Sequence, residues 1–279
     1  MATQAESIKL RVDGIDLNVL LDGDPENPAA VFVHGGGLSA QTWRGVIAEL
    51  RRDFYCVAFD MRGHGDSGWS ETADYSLASL ASDLHAVMDL LELQRPHLIG
   101  MSLGGQTALA AIAGGLTVRS LVLVDVGPRM LSSDDNPIRD FMRAHTYPTF
   151  ADALDAASAF QPGRSRESVT ESLYRSMRQD ADGSWSWKWD PRRRESYAQR
   201  AAEAQALWPR LGSVTCPVLV VRGLRSPVFT RELAAELVAE LPDAASAAIG
   251  AGHNVQSERP AELAALIRDF QQSLRSSTH

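Results

Sequence analysis

The chain has few cysteines, no long apolar run and no excess of positive charge. Its 279 residues include two cysteines, too few for a disulfide framework, and we interpret Cys56 and Cys216 as small buried hydrophobic residues. No stretch approaches the length of a membrane span. The formal net charge of −8 argues against nucleic acid or an anionic membrane as the main partner. The basic run of residues 192–194 is interpreted as a solvated face.

Metal-binding patterns and a leader pattern are also lacking. There is no H-E-x-x-H motif and no close Cys/His pair, so we predict no metal and no cofactor. Residues 1–7 show no basic segment followed by an apolar core, and we therefore expect a cytoplasmic protein. The many alanines suggest a bacterial source. We expect a small-molecule substrate and a monomer or homodimer.

Hydrophobic patterning predicts an α/β architecture. Asp13-Gly14 between two alternating segments predicts an N-terminal hairpin. Strand-like and helix-like segments then alternate up to about residue 126 and again from residue 217, which is typical of a mostly parallel sheet covered on both faces. No buried strand is obvious between these parts. We predict a core of residues 1–131 and 208–279 and a mainly helical subdomain of residues 132–207.

Ser102 is the most informative residue. It lies in a G-x-S-x-G frame, Gly100 to Gly104, after an apolar strand-like run and before a small-residue helix-like run. A strand that turns sharply into a helix through a serine is a nucleophile elbow, and the flanking glycines leave room for the tight turn. The helix start places free N–H groups beside the hydroxyl. We predict that Ser102 is a nucleophile.

Four motifs together resemble the α/β-hydrolase fold superfamily over nearly the whole chain. They are His34-Gly35-Gly36-Gly37, Asp60-Met-Arg-Gly-His-Gly-Asp-Ser67, Gly100-Met-Ser-Leu-Gly104 and Gly252-His253. The resemblance implies a mostly parallel eight-stranded sheet with helices on both faces and a mainly helical cap inserted after strand six. It also implies a serine hydrolase with the chain order nucleophile, acid, base.

The resemblance assigns the base to His253, in a glycine-rich loop between the last strand and the last helix. A serine hydroxyl needs such a base within hydrogen-bond reach. His34 and His64 are interpreted as structural, and His145 is kept as a candidate substrate contact. The remaining histidines receive no role: His85, His97 and His279.

The acid departs from the commonest pattern of the resembled superfamily, in which it follows strand seven. Residues 222–230 contain no carboxylate, and Ser226 stands at the expected position. Asp125, at the end of predicted strand six, is the alternative, because a histidine partner would offset the cost of burying its carboxylate. We predict Asp125 as the acid; otherwise it caps the turn before Pro128. Asp60 is interpreted as structural.

Acyl transfer also needs N–H donors for the developing oxyanion. We predict Leu103 as one donor and, from the resemblance, Gly36 as the other, with Gly37 as second choice. The candidate pocket residues are Gly37, Leu38, Met101, His145 and Trp187.

Aromatic and basic side chains are frequent in and around the insertion. Trp185, Trp187 and Trp189 alternate, and we favour packing within the subdomain over a substrate platform. An anionic substrate would need one or two arginines facing the cleft, with the rest solvated. The arginines considered are Arg129, Arg139, Arg143, Arg164, Arg166, Arg175, Arg178, Arg222 and Arg225.

Together these residues predict a serine hydrolase that cleaves a small carboxylic ester, lactone or amide through an acyl-enzyme. Three alternatives stay open. They are C–C bond hydrolysis of a dienoate-type metabolite, perhydrolysis, and a ligand receptor with vestigial turnover.

Overall fold

The computed structural model describes residues 6–131, 143–161 and 163–276. In chain order the strands are β1 (Glu6–Val12), β2 (Ile15–Asp22), β3 (Ala29–Val33), β4 (Tyr55–Phe59), β5 (His97–Met101), β6 (Ser120–Val124), β7 (Thr146–Tyr147), β8 (Met177–Gln179), β9 (Trp185–Trp187), β10 (Val218–Gly223) and β11 (Ala244–Ile249). Eight of them form one sheet in the order β1-β2-β4-β3-β5-β6-β10-β11. Its first two pairings are antiparallel and the others are parallel.

Helices cover both faces of this sheet, as predicted. They are α1 (Arg44–Leu50), α2 (Leu77–Leu90), α3 (Leu103–Ala113), α4 (Phe150–Phe160), α5 (Arg166–Ser176), α6 (Tyr197–Gln205), α7 (Arg231–Glu240), α8 (Val255–Glu258) and α9 (Pro260–Ser276). One apolar core packs α2, α3 and α7 against the sheet, and a second packs α1 and α9 against the opposite face. The fold is therefore the predicted α/β arrangement.

Local sequence explains the most regular elements. The β1–β2 hairpin closes through Asp13 and Gly14, which have φ angles of 46° and 77°, the left-handed pair that a two-residue hairpin turn requires. Helix α2 begins after Ser76, whose side chain accepts a hydrogen bond from the Ser79 N–H and so caps the helix. Such local devices fix the frame on which the loops at the carboxyl ends of the strands are held.

The segment between β6 and β10 differs from the prediction in one respect. It contains α4, α5 and α6, but also a three-stranded antiparallel sheet in the order β7-β9-β8. Strands of two or three residues are too short to produce a recognisable alternation, which is why no strand was obvious there from the sequence. Helices α4 and α5 and the small sheet share an apolar cluster of their own.

This segment is joined to the core through Trp189 and Asp190. Trp189 forms a bridge with His64, and the Asp190 N–H donates to the Gly63 carbonyl at 2.9 Å. The Tyr75 hydroxyl donates to the Asp190 carboxylate. The residues directly after Asp190 are therefore held against the core.

Within residues 6–131, 143–161 and 163–276, no helix combines the length and the apolar character needed to cross a bilayer.

Candidate active site

Ser102 lies at the sharp turn between β5 and α3. Its backbone has φ 50° and ψ −122°, a region that non-glycine residues rarely occupy. A Cβ on Gly100 would lie 2.6 Å from the Gly104 carbonyl oxygen, and a Cβ on Gly104 would lie 2.6 Å from the His34 carbonyl oxygen. Both contacts are closer than atoms tolerate, so the predicted need for glycine has a structural cause.

Replacing Gly104 by alanine is expected to destabilise the fold. The new methyl group would overlap the carbonyl oxygen of Val33, a backbone atom of a central strand that cannot move without disturbing the sheet. We expect a loss of about 2–4 kcal/mol in the free energy of unfolding, measured by chemical denaturation. Gly212→Ala is the control, because no heavy atom lies within 4 Å of the added Cβ. Equal stabilities for the two variants would contradict the steric argument.

Asp125 and His253 are brought together by the ends of two strands. Asp125 follows β6 with φ 53° and is fully buried. Its Oδ2 accepts a hydrogen bond from His253 Nδ1 at 2.7 Å, and its Oδ1 accepts from the Gly223 N–H at 2.8 Å. Because Nδ1 donates to a carboxylate, the lone pair of His253 lies on Nε2, the nitrogen available as a base. Asp125 thus contacts the predicted base and does more than cap a turn.

Ser226 takes a part that sequence reasoning did not foresee. It occupies the position where the resembled superfamily usually carries the acid, and its hydroxyl donates to Asp125 Oδ2 at 2.5 Å. The Ser226 hydroxyl oxygen itself accepts hydrogen bonds from the N–H groups of Val228 and Phe229 at 3.3 Å. The loop after β10 therefore supplies a hydrogen-bond donor to the carboxylate at the end of β6.

Glu258 holds the loop that carries His253 and was also missed. Its carboxylate accepts a hydrogen bond from the Gly252 N–H at 3.1 Å and pairs with Arg225 at 3.0 Å. Arg225 in turn donates to the Gly250 carbonyl at 2.8 Å. The sequence did offer one signal for this contact: Glu258 follows Gly252 by six residues and lies in the short helix α8 next to the loop.

His34 supports the glycine loop that follows β3. Its Nε2 accepts from the Met61 N–H at 3.0 Å, so Nδ1 carries the proton and donates to the Gly35 carbonyl at 2.8 Å. Burial lowers the pKa of His34 to about 4, against the opposing effect of the Gly35 hydrogen bond. A neutral ring with both nitrogens engaged suits the structural role that was predicted.

His64 and Asp60 have comparable surroundings. Burial lowers the pKa of His64 well below its usual range, and its Nδ1 donates to the Arg62 carbonyl at 3.0 Å. The Asp60 carboxylate accepts from the N–H groups of Ala40 at 2.6 Å and Asp66 at 2.9 Å. Both side chains fix loops around the site.

A cavity of about 520 Å³ opens over the elbow, within the usual size of a small-molecule site. The predicted residues that line it are Gly36, Gly37, Leu38, Met101, Ser102, Leu103, Trp187 and His253. Asp125 lies behind His253 and does not line the cavity. The structure therefore brings the candidate nucleophile, the candidate base and both candidate oxyanion donors to one space.

His145 does not line this cavity, so its prediction as a pocket residue needs correction. Its Nε2 donates a hydrogen bond to the Trp189 carbonyl at 2.8 Å. Its ring packs edge-on against the Trp189 ring, with the two ring centroids 4.6 Å apart. The residue supports Trp189 instead. Trp185 packs on Phe150 and Tyr174, whereas Trp187 and Trp189 combine packing with cavity lining.

The arginines are divided between cavity and surface. Of those considered from the sequence, Arg143, Arg164 and Arg175 line the cavity, and Arg139 lies outside the described residues. The interpretation of residues 192–194 as a solvated face was wrong for Arg193, which is 8% exposed and also lines the cavity.

Neither cysteine competes with Ser102 as a nucleophile. Burial raises the pKa of both thiols, that of Cys216 to about 11, so both stay protonated near neutral pH.

In the described part of the chain, no three His, Cys, Asp or Glu side chains cluster as metal ligands would.

Fold and site together define a class of protein: an α/β sheet with a serine at its strand-to-helix elbow and a histidine–carboxylate pair beside it. A model of the alpha/beta hydrolase family matches residues 30–266, and the chain belongs to this family.

Two curated relatives span most of the chain. Esterase Rv0045c from Mycobacterium tuberculosis is 32% identical over 86% of this chain and 82% of its own length. The 3-hydroxybutyrate-oligomer hydrolase of Cupriavidus necator is 29% identical over 87% of this chain and 88% of its own. The crystal structure of esterase Rv0045c superposes with a TM-score of 0.78 at 28% identity, covering 98% of this chain and 92% of that one.

Proposed function

We propose that this protein is a serine hydrolase that cleaves a small carboxylic ester, lactone or amide through an acyl-enzyme. The observation that carries the proposal is the meeting of Ser102, His253 and the glycine loop in one cavity, with Asp125 bonded to the far nitrogen of His253. The two relatives, one named as an esterase and the other as an oligomer hydrolase, support ester hydrolysis.

The reaction uses each group in turn. His253 Nε2 takes the proton of the Ser102 hydroxyl, and the oxygen attacks the carbonyl carbon of the substrate. The N–H groups of Leu103 and Gly36 hold the negative charge that develops on the carbonyl oxygen. The leaving alcohol or amine receives its proton from His253. His253 then takes a proton from the water that attacks the acyl-enzyme and returns it to the Ser102 oxygen as the acid leaves.

Asp125 has a positioning role in this scheme. Its hydrogen bond fixes His253 with the proton on Nδ1, and its charge stabilises the imidazolium formed when Nε2 accepts a proton. We further propose that residues 132–207 form a cap subdomain, since Trp187 and Trp189 reach the cavity from this segment.

Covalent labelling tests the nucleophile. A fluorophosphonate should modify the protein at Ser102, located by mass spectrometry of the digested peptide, because only an activated serine reacts at a useful rate. The heat-denatured protein is the control and should not react. Label at another serine, or no label on the folded protein, would contradict the proposal.

Substrate assays separate the remaining chemistries. Hydrolysis of short p-nitrophenyl esters without cleavage of a vinylogous diketone supports the proposal, whereas the reverse preference indicates a C–C bond hydrolase. Halide-dependent oxidation with peroxide and acetate would indicate perhydrolysis. Tight ligand binding with immeasurably slow turnover of every ester would indicate a receptor.

A further inference from the structure

The charge that lines the cavity has the opposite sign to the charge of the chain. The chain carries a formal net charge of −8, yet no Asp or Glu is found among the described residues that line the cavity. Six arginines do line it: Arg143, Arg164, Arg175, Arg193, Arg194 and Arg200. A cleft lined by one sign of charge concentrates ligands of the other sign, so the lining favours an anion.

Several of these arginines are already bonded to the protein. Arg175 pairs with Glu171 at 3.3 Å. Arg164 donates to the carbonyl and the hydroxyl of Ser168 at 2.8 and 2.9 Å. Arg200 donates to a backbone carbonyl at 3.1 Å. These hydrogen bonds and the ion pair use some of the guanidinium N–H donors of the three arginines and hold their side chains in place.

Arg193 is different. Within the described part of the chain its guanidinium makes no hydrogen bond and no ion pair, and its buried Nε has no partner. The guanidinium lies over the Trp189 ring, with its Cζ 5.2 Å from the ring centroid. Burial, followed by the nearby charges of Arg200 and Arg194, lowers the pKa of Arg193 to about 9. A buried cation without an anionic partner is costly, so its presence calls for a ligand that supplies one.

The position of Arg193 shows where that anion would lie. Its Nη2 is 2.7 Å from the point where a Cβ on Gly36 would be, and the Cβ of Leu103 is 3.9 Å from the same point. Gly36 and Leu103 are the two candidate oxyanion donors. The guanidinium therefore lies directly beside the place assigned to the reacting carbonyl, and the missing side chain of Gly36 leaves room for it.

We propose that Arg193 binds a carboxylate of the substrate, within a few bonds of the carbonyl that Ser102 attacks. This inference rests on the proposed function, which it narrows to anionic esters or lactones. A guanidinium presents parallel N–H donors that match the two oxygens of a carboxylate, and one unpaired positive charge matches one negative charge.

Matched charged and neutral esters test the proposal. Monomethyl succinate against dimethyl succinate places the charge on the acyl side, and acetoxyacetate against methyl acetoxyacetate places it on the alcohol side. In at least one pair we expect kcat/KM of the native protein to favour the charged member by about ten- to a hundredfold, the size of a charge-assisted hydrogen bond. Equal values within both pairs would overturn the proposal.

Variants assign the preference to Arg193. Arg193→Met should reduce the charged-to-neutral ratio to about threefold or less, and Arg193→Lys should give an intermediate ratio, because it keeps the charge but loses the planar fork. Arg166→Met removes the same charge from an exposed position outside the cavity, where Arg166 pairs with Asp155, and should keep the native ratio. A native ratio in Arg193→Met would contradict the assignment.

Binding to Ser102→Ala protein keeps the inference separate from the proposed function. Calorimetric titration with both charged and neutral pairs, the succinates and the acetoxyacetates, reports anion recognition even if no ester is hydrolysed or if the Arg193 variants fail to fold. Tighter binding of the charged member of at least one pair by about tenfold or more supports the carboxylate site. Equal binding within both pairs overturns it, whatever the labelling of Ser102 shows.

Discussion

Replacing Ser102 by alanine is expected to lower kcat on a p-nitrophenyl ester by about 10⁵- to 10⁶-fold, the loss typical of removing a serine nucleophile. The variant leaves His253, Asp125 and the oxyanion donors in place but has no oxygen that can form the acyl-enzyme. The residual rate should reflect binding and oxyanion stabilisation, which act without the nucleophile. Steady-state kinetics with highly purified protein would measure it.

The control for this variant is Ser213→Ala, an exposed hydroxyl that donates to the Arg210 carbonyl at 2.7 Å and lies outside the cavity. Both variants should retain the circular dichroism spectrum and the melting temperature of the native protein. Activity of the Ser102 variant within about tenfold of native would show that another group attacks the substrate. The Ser102 variant should also fail to react with a fluorophosphonate.

Much of the fold was predictable because its signals are local. Asp13-Gly14 predicted the hairpin, and the alternation of strand-like and helix-like segments predicted a mostly parallel sheet covered by helices on both faces. The elbow at Ser102 was predictable for the same reason, since a tight turn demands glycine at fixed offsets. Strand and helix periodicity extends over enough residues in the core to be recognised without tertiary contacts.

The insertion was less predictable because its structure depends on contacts between distant residues. The burial of Arg193 cannot be inferred from three consecutive arginines, whose pattern is typical of a solvated face. It results from the anchoring of Asp190 by Tyr75 and the Gly63 carbonyl, which turns the middle arginine inward. The exclusion of His145 from the cavity depends likewise on its contact with the Trp189 ring.

The position of the candidate acid was partly predictable from the sequence. The sequence excluded a carboxylate in residues 222–230 and so favoured Asp125 by its place at a strand end. The structure adds the hydrogen bond to His253 and the donation from Ser226, which no spacing rule contained. Sequence reasoning could choose between carboxylates but could not describe how the chosen one is held.

Asp125→Asn is expected to lower kcat/KM by about 10³- to 10⁴-fold, the size of the effect when a triad carboxylate is replaced by its amide. The carboxylate now accepts hydrogen bonds from Gly223, Ser226 and His253. An amide oxygen can keep the hydrogen bond from the Gly223 N–H, but the amide NH₂ would then face the Ser226 hydroxyl and His253 Nδ1, which both donate to the carboxylate in the native protein. His253 would adopt the other tautomer, with its proton on Nε2, and could not accept the proton of Ser102.

Two matched variants decide whether this loss belongs to Asp125. Glu232→Gln removes the first carboxylate after β10, at the exposed start of α7, and should leave kcat/KM unchanged. Ser226→Ala removes one donor to Asp125 and should cost about two- to tenfold, the worth of a single hydrogen bond. Near-native kinetics in Asp125→Asn together with a large loss in Glu232→Gln would place the acid after β10. A large loss in Asp125→Asn with the native melting temperature would instead tie turnover to the carboxylate that fixes the proton of His253 on Nδ1.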